Sequence, residues 1–293
     1  MMYYVVYGLL WVISLLPLKI LYFLSDCIYG LIFYVFQYRK DIVMNNLLIA
    51  FPEKTEQERK QIAKKFYHNL IDTFIETIKM VSASKHFFLK RFTANWDVVN
   101  EFKQSGKNIQ IHLGHNFNWE WGNAAGSQQL AIPFVGVYMP ITNKILNKLF
   151  YNLRSSHGTL LVRATHMRED FLPYRNQQYI LGLAADQNPG HPKSAWWINF
   201  FNRPTPFVKG PAKAAINNDT VVVFAFIHKP KRGFYEAVFS VAAENAAEIS
   251  ETALTKKFVN YLENVIRQYP DMWLWSHRRW KYEWKPEYGE VVS

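Results

Sequence analysis

The sequence predicts an α/β fold: a single domain with a mainly parallel or mixed sheet flanked by helices, preceded by an N-terminal hydrophobic segment. Three observations predict it. Short β-branched or apolar runs alternate with helical patterns from residue 108 onward. No internal repeat, low-complexity tract or linker divides the chain after residue 38. The first 38 residues differ from everything that follows, with Lys19 and Asp26 as their only charges. A length of 293 residues is ample for a buried core.

The N-terminal run contains VVYGLLWVISLLPLKILYFL. A helix needs about 20 apolar residues to cross a bilayer core. Tyr3 to Leu18 falls short, and extension to Leu24 reaches that length only with Lys19 buried and a kink at Pro17. No basic region precedes the run and no small-residue cleavage site follows it, which argues against a secretory signal. A spanning helix, a hairpin lying in the interface and a pair of buried core helices all fit the pattern. Arg39 and Lys40 end the segment, so the positive-inside rule puts the rest of an inserted chain in the cytoplasm. Residues 1–38 are therefore expected to form a membrane anchor and residues 39–293 the folded domain.

After Pro52, Thr55-Glu56-Gln57-Glu58 reads as a capping box. Ile62, Phe66, Leu70, Phe74 and Ile78 follow at spacing four, with Tyr67, Ile71 and Ile75 beside them, predicting one helix with a wide apolar face. The pattern then predicts strands over Asn108–Leu113, Ile132–Tyr138, Thr159–Val162, Tyr179–Ala184, Thr220–Ile227 and Phe234–Val241. Helical patterns lie over Trp119–Gln129, Asn143–Arg154, Val208–Ile216 and Thr252–Gln268.

Composition excludes several classes. Hydrophobic residues make up 49%, aromatics 17% and charged residues only 19%, which rules out a disordered tail or a coiled coil. Lys and Arg number 34 against 23 Asp and Glu, a net charge of +11 that suits an acidic partner: nucleic acid, anionic membrane, phosphorylated lipid or acidic carrier protein. The single cysteine, Cys27, cannot form an internal disulfide.

The most informative stretch runs from Ile109 through Gly114 to His115-Asn116-Phe117-Asn118-Trp119-Glu120. A strand ends at Gly114, and the following turn projects side chains into the crevice where open α/β sheets bind ligands. A His there can take a proton from a hydroxyl when a carboxylate holds its ring. Taken alone the spacing is weak, and more often belongs to a structural His beside a surface Glu. His112 and His115 stand around a strand end and need not share a face; without an HExxH pattern, a zinc site is not expected. Neither a P-loop nor a dinucleotide fingerprint occurs.

His115 to Glu120 resembles the H-x4-[D/E] motif of the bacterial lipid A biosynthesis (late, or secondary) acyltransferases, part of the wider lysophospholipid and glycerophosphate acyltransferase superfamily. Further elements follow in the family's order. Tyr38-Arg39-Lys40, Asn45-Asn46-Leu47 and Phe51-Pro52 are similar to its basic, NL and FP elements. Leu181 to Asp186-Gln187 resembles its strand ending in Asp-Gln or Asp-His, and Thr205, Gly210 and Ala212 match its T-x4-G-x-A pattern. Trp273-Leu274-Trp275-Ser276-His277-Arg278-Arg279-Trp280-Lys281 is close to its W-x-H-R-R-[FW]-K signature. The chain departs at Phe117, where many relatives carry Gly.

The resemblance implies a glycerophosphate-acyltransferase-like domain at the cytoplasmic side of the inner membrane. Its reaction would move a fatty acyl chain from an acyl thioester, usually on acyl carrier protein, to a hydroxyl of a lipid A precursor, with no cofactor beyond that co-substrate. His115 would be the base and Glu120 its orienting carboxylate. A thioester is already activated, so no covalent enzyme intermediate is needed, in keeping with the absence of a Gly-x-Ser-x-Gly elbow. Arg154 and Arg163 are similar in placement to family arginines, and either guanidinium can hold phosphate or a developing oxyanion; each also reads as a solvated surface arginine. Asp186 and Gln187, at a strand end, are expected at the substrate, with a structural role for Asp186 equally open. Arg278, Arg279 and Lys281, among Trp273, Trp275, Trp280 and Trp284, suit phosphorylated headgroups at a membrane interface. Stacking on nucleic acid uses similar side chains, but no nucleic-acid-binding motif accompanies them. Acylation of another lipid, such as a lysophospholipid or aminolipid, and non-catalytic binding of anionic lipid remain the alternatives.

Overall fold

The computed structural model describes residues 1–292. Its N-terminal helices are α1 (Met2–Leu15) and α2 (Leu18–Gly30), the latter continuing through a π-helical turn to Val35. Pro17 breaks the two apart, because it lacks the N–H that would continue the helix. Helix α3 (Lys40–Ala50) leads to α4 (Glu56–Lys79), which starts at the predicted capping box: Thr55 and Glu58 bond each other's backbone N–H groups. Both α1 and α2 pack on α4.

Then come α5 (Lys85–Arg91), β1 (Phe92–Ala94), α6 (Asp97–Asn100) and β2 (Ile109–Leu113). Helix α7 (Trp119–Gln129), β3 (Phe134–Tyr138), α8 (Lys144–Ser156), β4 (Leu160–Arg163), α9 (Met167–Asp170) and β5 (Ile180–Ala184) follow. The chain ends with β6 (Ala195–Phe200), β7 (Arg203–Val208), α10 (Gly210–Asn217), β8 (Val221–Lys231), β9 (Phe234–Ala243), α11 (Glu251–Gln268) and β10 (Val291–Val292).

Seven strands form one mixed sheet in the order β1-β9-β8-β2-β5-β3-β4. All neighbours from β8 to β4 are parallel, β8 and β9 form the antiparallel pair, and β1 runs parallel to β9. Along β2, Ile109 and Ile111 are buried in the main core, and Gln110 and His112 are equally buried on the opposite face. Burial on both faces is what helices above and below a parallel sheet produce. All six predicted strands and all five predicted helices are present, with ends shifted by a few residues at most of them. Phe74, predicted on the buried face of α4, is exposed.

Shorter elements escape the sequence pattern, among them β1 and the whole of a second sheet. Strands β6 and β7 form an antiparallel hairpin, joined by β10 into a second, three-stranded sheet. Pro204 and Pro206 discourage a strand over residues 203–208, yet β7 lies at the sheet edge, where missing N–H donors are tolerated.

The N-terminal helices are not a buried core pair. Leu21, Ser14 and Ser25 face inward, whereas Trp11, Val12, Phe23, Leu24, Ile28, Leu31 and Val35 are exposed. Leu18–Val35 is long and apolar enough to cross a membrane, and only 17% of it is buried. An apolar surface this continuous marks a contact with lipid or protein rather than water.

Candidate active site

Parallel pairing of β2 with β5 brings the key side chains together. Leu113 is in register with Ala184, so His115 and Asp186, each two residues further on, leave the sheet side by side. Gly114 permits this approach. A Cβ there would stand 2.7 Å from Leu262 and 3.3 Å from Asp186 Oδ2. His115 donates its backbone N–H to Asp186 Oδ2 at 2.8 Å, and its Nδ1 lies 2.6 Å from Asp186 Oδ1. Trp273 Nε1 donates to Oδ2 at 2.7 Å. Because the carboxylate only accepts, this contact puts a proton on Nδ1 and leaves Nε2 with its lone pair, 3.2 Å from the Gln187 amide nitrogen.

Electrostatics follow from these contacts. Burial alone would lower the His115 pKa, but the charge and hydrogen bond of Asp186 outweigh it and hold the ring above its ordinary value. Burial opposes the charge on Asp186 as well; His115 and Trp273 prevail and bring its carboxyl down to about 2. The His115 ring thus has a fixed tautomer and a counter-charge for its protonated form.

Glu120 does not hold His115. Its carboxylate is gripped by Arg154, with Nε at 2.9 Å and Nη2 at 2.5 Å, and Trp119 Nε1 donates to it at 3.2 Å. The reason is local: Asn118 caps α7 by accepting from the N–H groups of Glu120 and Trp121, which turns Glu120 into the first helical turn toward α8. The carboxylate expected on His115 comes from the neighbouring strand instead of the same turn.

His115 and Arg154 both line one cavity of about 270 Å³, walled mainly by apolar side chains such as Trp96, Leu113, Trp119, Ile227 and Phe239. Gly122 on α7 helps leave it open, since a Cβ there would meet Ile227 at 3.0 Å. His112 faces the other side of the sheet, against Phe224 and Phe258 and hydrogen-bonded to Gln110. Burial lowers its pKa to about 4.

The other predicted residues separate. Gln187 is beside His115, while Asp186 is buried behind the ring, out of reach of a substrate. Arg163 is 40% exposed and forms a bidentate pair with Asp170 at the surface. Arg278 and Lys281 are exposed, with Lys281 against Tyr282. Arg279 is fully buried, donating to Asn188 Oδ1 at 2.7 Å and to the Pro206 carbonyl at 2.9 Å, so it cannot meet a headgroup. Trp273 and Trp275 are core residues, leaving Trp284 as the exposed indole of that group. The C-terminal signature is chiefly internal scaffolding.

Sequence reasoning missed Asn118 as the cap of α7 and Glu76 beneath it. Glu76 is an ionisable residue on a helix with a wide apolar face, and nothing in the spacing marks it as buried.

The family model described as bacterial lipid A biosynthesis acyltransferase matches residues 1–282. Among curated proteins, the chain is 24% identical to the "Lipid A biosynthesis lauroyltransferase" of Escherichia coli (strain K12), covering 94% of this chain and 89% of that protein. It is also 24% identical to a "Lipid A biosynthesis acyltransferase" of Haemophilus influenzae, covering 83% of this chain and 78% of that one. With a match that runs from the first N-terminal helix through the C-terminal tryptophan segment, the chain belongs to the bacterial lipid A biosynthesis acyltransferases.

Proposed function

We propose that this acyltransferase moves a fatty acyl chain from acyl carrier protein to a hydroxyl of a lipid A precursor at the cytoplasmic face of the inner membrane. The observation that carries the reading is a polarised histidine opening onto an apolar cavity together with an arginine. The acyl chain occupies the cavity, with the thioester carbonyl between His115 and Arg154. His115 Nε2 takes the proton of the acceptor hydroxyl as its oxygen attacks the carbonyl carbon. Arg154, its plane fixed by Glu120, stabilises the tetrahedral oxyanion. Collapse breaks the carbon–sulfur bond, and the imidazolium, balanced by Asp186, returns its proton to the leaving thiolate. In this scheme Asp186 and Glu120 are positioning residues, one for the base and one for the arginine.

The N-terminal segment is the anchor. Helix α2 is tied to α4 by Tyr22–Glu76 and Ser25–Asp72 hydrogen bonds, so it lies along the domain, with its apolar outer face in the membrane interface. The net charge of +11 favours both an acidic carrier protein and anionic lipid.

The test is acyl transfer by the purified full chain, with acyl carrier protein or coenzyme A thioesters as donor. His115→Ala is expected to slow transfer by about 10² to 10⁴, the usual contribution of positioned proton transfer. A folded His115→Ala enzyme with full activity overturns the mechanism. Lipid A from a strain lacking the gene should be short of one acyl chain, whose mass gives its length; unchanged lipid A with altered phospholipid would move the activity to another lipid.

A further inference from the structure

Beneath the active-site turn lies a carboxylate that the transfer chemistry leaves unexplained. Glu76, on α4, is completely buried. Three donors from three separate elements converge on it: Tyr22 of α2 at 2.6 Å, Tyr235 of β9 at 2.6 Å and the Asn118 amide at 2.9 Å. Its backbone carbonyl also accepts from Trp121 Nε1 at 3.1 Å. Burying a carboxylate is costly, and apolar residues fill such a space at least as well when stability alone is at stake. Burial pushes Glu76 up to about 7 despite the hydrogen bonds, a measure of that cost.

What the carboxylate holds is informative. Asn118 uses its two polar atoms in opposite directions: the amide nitrogen donates to Glu76, while the oxygen caps α7 through the N–H groups of Glu120 and Trp121. Glu120 then fixes Arg154, and His115 stands three residues before Asn118 on the same turn. Glu76 is thus the point from which the amide orientation of Asn118, and with it the start of α7, is set.

We propose that Glu76 is a positioning residue of the acyl-transfer site, holding Asn118 and thereby the turn that spaces His115 from the Glu120–Arg154 pair. The proposal rests on the transfer mechanism given above, and its test separates the two. Two variants are compared with wild type. Glu76→Gln keeps the size but removes the charge that accepts all three donors. Asn118→Ser keeps an oxygen able to cap α7 but loses the amide donated to Glu76. Each should lower kcat by about 10- to 100-fold, the scale of a small misplacement of reacting groups. KM for the thioester should change little, since the cavity walls are untouched. The double variant should be no slower than the slower single, because both act through one contact.

Thermal unfolding accompanies each assay. If either variant is folded with wild-type kcat, or if the two losses multiply in the double variant, Glu76 is a structural residue and the proposal fails. His115→Ala is run beside them: its inactivity together with full activity of Glu76→Gln and Asn118→Ser sinks this proposal alone. Activity of His115→Ala sinks the mechanism beneath it.

Discussion

Two regions that each carry a buried or half-buried arginine meet at Asp186, one through His115 and one through Trp273, and they behave differently. On the cavity side, the turn of residues 114–120 leads to Glu120 and its partner Arg154, whose side chain is 17% exposed and lines the cavity. Behind, the segment of residues 273–281 sends Arg279 inward with no exposure at all. Arg154 is matched by a carboxylate that more than offsets its burial, and its pKa is raised. Arg279 has neutral acceptors only, and burial lowers its pKa against the weaker pull of Asp186. In sequence both read as substrate-facing cations. What separates them is whether the guanidinium faces a space that a ligand can enter.

The comparison is broken most severely at the residue both regions share. Asp186 Oδ2 accepts from two N–H groups, of His115 and Trp273, while Oδ1 faces His115 Nδ1. In Asp186→Asn those two donors select the amide oxygen, which leaves the amide nitrogen facing Nδ1. The ring must then accept at Nδ1 and carry its proton on Nε2, so the base is lost. Turnover should fall by about 10² to 10⁴, comparable with His115→Ala. A loss below about tenfold in folded protein would mean that Asp186 does not set the tautomer.

The wild-type pH profile sharpens the same point. As the proposed base His115 must be neutral to act, and its pKa is raised, so kcat/KM should climb with pH through a midpoint above the ordinary 6.5. Below that midpoint the protonated ring pairs with Asp186 and is inactive. A midpoint well below 6.5 would show that burial, not Asp186, dominates at His115.

Much of this was legible in the chain because strands and helices have distinct periods. The predicted helix over Trp119–Gln129 coincides with α7. His115 and Arg154, expected together from family resemblance, do line one cavity. The partner of His115 was misread because an H-x4-E spacing is local, whereas the contact is set by register between β2 and β5, some seventy residues apart. Arg279 within the C-terminal signature was misread for a related reason. Trp and Arg in one run suit an interface, but here Phe200 of β6 packs on Trp273 and Trp280 and β7 takes Arg279 at the Pro206 carbonyl and the Phe207 ring, and sequence order carries no record of that enclosure.

At the cavity, Arg154→Ala should cost about 10²- to 10³-fold in kcat, the range for losing one oxyanion donor. Arg154→Lys should recover only part, because an ammonium cannot reproduce the bidentate grip on Glu120. Equal activity of wild type and Arg154→Ala would return this arginine to a surface role.

The smallest effect on turnover is expected behind Asp186. Arg279 spends Nη1 on Asn188 and Nη2 on the Pro206 carbonyl, and its guanidinium lies 4.2 Å from the centre of the Phe207 ring. Arg279→Ala therefore orphans two acceptors and opens a void among aromatic rings. Each orphaned acceptor costs about 1–3 kcal/mol, partly offset by no longer burying a charge. The net loss should be a few kcal/mol, visible as a lower Tm. Turnover per folded molecule should fall far less than in Arg154→Ala, because His115, Asp186 and the cavity keep their contacts. Paired measurements of Tm and kcat decide it. If Arg279→Ala melts like wild type yet loses activity as Arg154→Ala does, Arg279 acts at the substrate after all, and the contrast between the two regions disappears.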